Sequence, residues 1–85
     1  MKKLIEDNEQ GNLERLLGDR VTCFCVNYIY TGKLVGVNDA TLLLNEASIV
    51  YETGAFTEKA WKDAQPLPHP VYLLLRNVES VMVLK

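Results

Sequence analysis

The stretch GDRVTCFCVNYIYTGKLVGV, residues 18–37, decides the fold. Between Arg20 and Asn27 the pattern repeats every two residues: Val21, Cys23 and Cys25 fall on one face, and Thr22, Phe24 and Val26 on the other. Both faces are largely apolar, so this strand asks for cover on both sides. From Ile29 to Val37 the strand pattern continues through Gly32 and Gly36, and glycine inside a strand marks a sharp bend or a close backbone approach. A strongly bent strand is therefore expected.

Working outward, Asn38-Asp39 supplies turn chemistry, and Thr41 to Tyr51 reads as a third strand ending near Glu52-Thr53-Gly54. Residues 53–70 form an elaborated loop before the fourth strand. In it Thr57 would cap a short helical turn from Glu58 to Ala64, while Ala60, Trp61 and Ala64 would pin the insertion to the barrel. Pro66-Leu67-Pro68-His69-Pro70 is stiff and extended, with His69 an exposed linker residue. Val71 to Leu75 and Val81 to Leu84 are short, almost wholly apolar strands separated by Arg76-Asn77-Val78-Glu79-Ser80. In a barrel of this size one of them would lie at an open edge, exposing unpaired backbone groups beside a row of Val and Leu. Pairing with another copy of the chain removes that exposure.

On the N-terminal side, residues 1–18 read as a helical segment whose second half is the stable part. Asn12 is the N-cap, Leu13, Leu16 and Leu17 make an apolar stripe over the end of the barrel, and Gly18 is the stop. The expected fold is mainly β: one domain over residues 1–85, a small open barrel of five strongly bent antiparallel strands with an N-terminal α-helix.

A chain of 85 residues buries only about 60% of its unfolded surface, so its own core is marginal and disulfides, metals or association must add to it. Cys23 and Cys25 lie two apart on one strand and cannot close a useful loop, which fits a reducing, cytoplasmic setting. A tetrahedral zinc site needs about four ligands, and no second Cys/His pair accompanies these two. No metal or cofactor is expected, and association is left as the source of stability. The first 20 residues carry Lys2, Lys3, Glu6, Asp7 and Glu9 and no apolar run like a signal peptide or membrane span. Nine Lys and Arg against eleven Asp and Glu give a net charge of −2, which excludes the broad basic surface of a general nucleic-acid binder. Nucleic acid would need a local site.

Helix, the Gly18-x-x-Val21 junction, a bent glycine-bearing strand and an arginine-containing turn between the last two strands together resemble the Sm/LSm (Hfq-like) ribonucleoprotein family over most of the chain. Leu13, Leu16, Leu17, Gly18 and Val21 fit the helix-to-strand junction of that family, and Gly32, Leu34, Gly36, Leu43 and Ala47 fit its first motif. Arg76 stands where the second motif has its arginine, with Asn77 in place of the usual glycine. The resemblance implies a homo-oligomeric ring of about five to eight subunits, the fourth strand of one copy joined to the fifth of the next. Val71, Leu73, Leu75, Val81 and Val83 would then form the subunit interface. It also implies a pore that binds single-stranded, uridine-rich RNA, through Asn38, Arg76 and Asn77 here. Ala40 and Leu42 occupy the family's stacking and base-reading positions; Ala40 has no π-face and Leu42 cannot hydrogen-bond a base. Hfq-like rings also carry an apolar residue at the latter position.

Two functions follow from this reading. One is an RNA-binding ring in which copies of Arg76 converge on the pore; the other is an oligomeric scaffold for protein partners, presenting the Trp61 insertion or the Pro66–Pro70 segment with avidity. Enzymatic activity is not expected. One histidine, no nucleophile and base in recognisable spacing, and no phosphate loop leave no catalytic constellation, and thiols in an apolar strand are generally inert.

Overall fold

A computed structural model describes residues 13–85. Six strands form one antiparallel sheet: β1 (Arg20–Cys25), β2 (Ile29–Val37), β3 (Thr41–Glu52), β4 (Asp63–Pro66), β5 (Val71–Leu74) and β6 (Val78–Met82). The order is β4-β3-β2-β1-β6, with β5 also paired to β3. Among the described residues β5 and β6 are not paired with each other, so the sheet stays open rather than closing into a barrel.

The bend comes from two bulges of opposite sense between β2 and β3. Thr31 faces Ser48 while Lys33 faces Asn45, so Glu46 and Ala47 both oppose Gly32 and β3 carries the extra residue. Farther along, Leu34 faces Leu44 while Gly36 faces Leu43, so the extra residue, Val35, is on β2. Gly32 is required at the first bulge: a Cβ there would lie 3.0 Å from the Asn45 carbonyl oxygen and 3.1 Å from the Ala47 Cα. Glu46 takes up the kink with a φ of 50°. The extra residue also flips the phase of the inward side chains, from Leu42 and Leu44 before it to Ala47 after it. With Val21, Cys23, Leu34 and Leu73 these residues make the core.

Four expectations are corrected. The α-helix expected over Leu13 to Leu17 is a single 3₁₀ turn, Glu14–Leu16, closed by Leu16 N–H to Leu13 O and Leu17 N–H to Glu14 O. Gly18, at φ 91°, then donates to Leu34 O, and this return to the sheet comes too soon for an α-helical ladder to propagate. Leu13 and Leu16 pack on the core while Leu17 stays exposed. The proposed Asn12 cap and the rest of residues 1–12 lie outside the described residues.

The strand count is six because Asp63–Pro66, expected as the end of an irregular loop, pairs with Ser48–Glu52. Beyond its bulge β3 offers this second stretch of free edge, and β4 takes it up; β4 and β5 are two pieces of one edge. The helical turn expected from Glu58 to Ala64 is instead one turn at Ala55–Glu58 followed by bends, with Glu58 N–H bonded to Ala55 O. The last strand also starts earlier than expected, at Val78, because Cys25 of β1 pairs there.

Candidate functional site

Two turns meet at one end of the sheet. The β2–β3 turn is built by Asn38, whose side-chain oxygen accepts from Ala40 N–H (2.8 Å), Thr41 N–H (2.8 Å) and the Thr41 hydroxyl (3.0 Å). The β5–β6 connection is the 3₁₀ turn Leu75–Asn77. Leu75 N–H donates to Ala40 O at 2.8 Å and fastens one turn to the other. Asp39, Ala40, Leu74, Leu75 and Arg76 line the resulting depression of about 270 Å³.

The structure brings Arg76 beside the Asn38 turn. Its side chain is exposed, and among the described residues no hydrogen bond or ion pair engages the guanidinium. Asn38 is committed to the turn: its oxygen already has three donors, and only its amide nitrogen is left to meet a ligand.

Asn77 points elsewhere. Neighbours on a 3₁₀ turn are about 120° apart; Asn77 does not line the depression beside Arg76, and its carbonyl accepts from Val26 N–H at 2.9 Å. It lines a second cleft, of about 180 Å³, with Cys25, Asn27, Tyr28, Tyr30 and Tyr72. Tyr28 and Tyr72 are 50% and 67% exposed, so their rings remain open to contact from outside. Sequence reasoning missed this cleft because the β1–β2 turn and β5 are far apart along the chain. The signal was a tyrosine at each of positions 28, 30 and 72, within or beside strands.

At the two free edges, side-chain directions divide the expected interface residues. Leu73 is buried in the core, and Val71, Leu75 and Val81 pack against it, so all four face inward. The outward side chains are Tyr72, Leu74, Met82 and Val83, the last 54% exposed. The edges themselves, β5 beyond β3 and β6 beyond β1, have unpaired backbone on their outer sides among the described residues.

The cysteines offer little reactive chemistry. Burial, and then the neighbouring Cys25 sulfur, push the Cys23 thiol up to about 12. Burial first and Glu79 second also raise Cys25. Both stay protonated at neutral pH, which disfavours nucleophilic attack and metal ligation. Burial likewise raises Tyr30, helped by Cys25, Tyr28 and Tyr51. No helix among the described residues is long and apolar enough to cross a membrane. No protein-family model matches the chain, and no curated protein matches it.

Proposed function

We propose that this is an Sm-like protein that assembles into a homo-oligomeric ring and binds single-stranded, uridine-rich RNA. The observation that carries the reading is the exposed Arg76 guanidinium, without a hydrogen bond or ion pair among the described residues, on a turn that the Leu75–Ala40 hydrogen bond fastens to the β2–β3 turn. One arginine per chain is a weak site alone, but a ring repeats it as a belt of positive charge despite the net charge of −2. Two open edges bearing Tyr72, Leu74, Met82 and Val83 give such a ring its contacts. Ala40 and Leu42 leave the turn without a stacking or base-reading side chain, and the cleft of Tyr28, Tyr72 and Asn77 offers aromatic faces and an amide instead.

Fluorescence anisotropy with labelled oligouridine tests the binding, at low and at physiological salt. Arg76→Ala should weaken binding about tenfold or more, roughly 1.4 kcal/mol, and flatten the salt dependence. Unchanged affinity in an intact Arg76→Ala assembly sinks the pore site, and an assembly that binds no RNA leaves the protein-scaffold function.

Light scattering tests the ring separately. The particle should be a multiple of the 9.6 kDa chain. Val83→Asp should dissociate it by putting an unpaired charge into the contact. A stable monomer at micromolar concentration would end the ring reading.

A further inference from the structure

The outer face of β1 and β2 is covered in an unusual way. Thr22 and Thr31 are cross-strand partners and almost wholly buried, although they lie on the face turned away from the core. Their hydroxyls and the Trp61 ring N–H all donate to one acceptor, the Lys85 main-chain oxygen: Thr22 at 2.9 Å, Trp61 at 3.2 Å, and Thr31 in a close contact. The Lys85 side chain is engaged just as fully. Its ammonium donates to Ala55 O (3.0 Å) and Ala60 O (3.1 Å) and sits 4.4 Å from the centre of the Trp61 ring.

Little else holds this insertion down. Residues 54–60 are all exposed, and the Glu52–Lys62 ion pair is solvent-exposed at both ends. Phe56 touches Phe24 with ring centres 6.2 Å apart, and Trp61 lies edge-on to Phe56 at 6.3 Å. Lys85 itself lies past the end of β6 at Met82, so sheet pairing does not place it. A segment with few buried contacts and one concentrated point of attachment opens at lower free energy than the sheet beneath it.

We propose that Lys85 is a latch. It holds residues 53–62 as a strap over β1 and β2, and its release uncovers Thr22, Phe24 and Thr31 while the sheet stays folded. The ammonium ties the two ends of the strap together through Ala55 and Ala60, and the main-chain oxygen of the same residue ties Trp61 to the sheet. Loss of that one charge, by substitution or by acylation of the amine, removes the ties to Ala55 and Ala60 and the contact with the Trp61 face together, leaving only the main-chain oxygen to hold the strap. This device is independent of RNA binding and of the ring.

Trp61 is the only tryptophan, so its fluorescence reports the strap alone. The test compares the parent with Lys85→Gln and Lys85→Arg by acrylamide quenching of Trp61, by the rate of tryptic cleavage after Lys59 and Lys62, and by far-ultraviolet circular dichroism. In Lys85→Gln, cleavage at those two sites should accelerate about tenfold or more and quenching should rise, with the β spectrum unchanged. Lys85→Arg keeps the charge and the contact with the ring and should stay closed. Equal cleavage and quenching in parent and Lys85→Gln would overturn the latch. So would loss of the β spectrum together with the strap, because Lys85 would then belong to the cooperative fold.

Discussion

The inner and outer faces of β1 and β2 are held by opposite means. Inside, Val21, Cys23 and Leu34 meet Leu42, Leu44 and Leu73, apolar side chains whose contribution scales with the volume they fill. Outside, Thr22 and Thr31 are buried under Lys85 and the Trp61 insertion, where three donors converge on one oxygen. A strand with two apolar-looking faces thus has one that depends on shape and one that depends on a partner. The inner face should fail with the whole fold, and the outer face locally.

The largest expected effect is on the inner side. Leu44→Ala should cost about 2–5 kcal/mol, read from the midpoint of urea unfolding, with the insertion and sheet lost in one transition. A loss below about 1 kcal/mol would mean the site collapses around the missing atoms and that shape does not rule this face.

A smaller effect separates the faces by pH. The folded Cys23 thiol titrates near 12 against an ordinary value of 9.0, so its contribution is complete below about pH 9. Above that the unfolded chain ionises first, and stability falls as pH rises toward 12, by about 1.4 kcal/mol per pH unit for this one proton. Cys25 and Tyr30 shift in the same direction and add to the decline. Denaturation at pH 8 and pH 10 should show a gentler decline in Cys23→Ala than in the parent. Equal declines would place the proton uptake elsewhere.

The smallest effect belongs to the outer face. Thr31→Val keeps the shape and removes one donor from Lys85 O and from Val21 O, and should cost about 1 kcal/mol. Trp61 quenching should rise more than the unfolding midpoint falls. A change in the midpoint alone would mean that both faces belong to one cooperative unit.

Much of the sheet was legible in the sequence, because the period of two in Arg20–Cys25 and the glycines at 32 and 36 are local signals with local causes. What escaped depends on distant partners. Asp63–Pro66 shows no apolar alternation, and it is a strand only because β3 bares an edge beyond Glu46. The N-terminal helix was read from Leu13, Leu16 and Leu17, whereas the described residues before Gly18 form a single 3₁₀ turn and Gly18 then bonds to Leu34. At the site, the approach of the Arg76 and Asn38 turns followed from the family resemblance. Asn38's commitment to its own turn, Asn77's place in a different depression from Arg76 and the Tyr28–Tyr72 cleft follow from geometry that spacing does not carry.

The junction between β4 and β5 has a bearing on aggregation. Leu67 N–H points inward, donating to Ala47 O at 2.8 Å, so Pro66, the last residue of β4, directs its nitrogen outward, along the free edge. It has no hydrogen to offer, and Pro68 and Pro70 follow in the connection to β5. An incoming strand on this side therefore meets a broken run of donors where β4 passes into β5, and each remaining piece of edge is short for open-ended strand addition. These prolines act as gatekeepers on the β4–β5 edge.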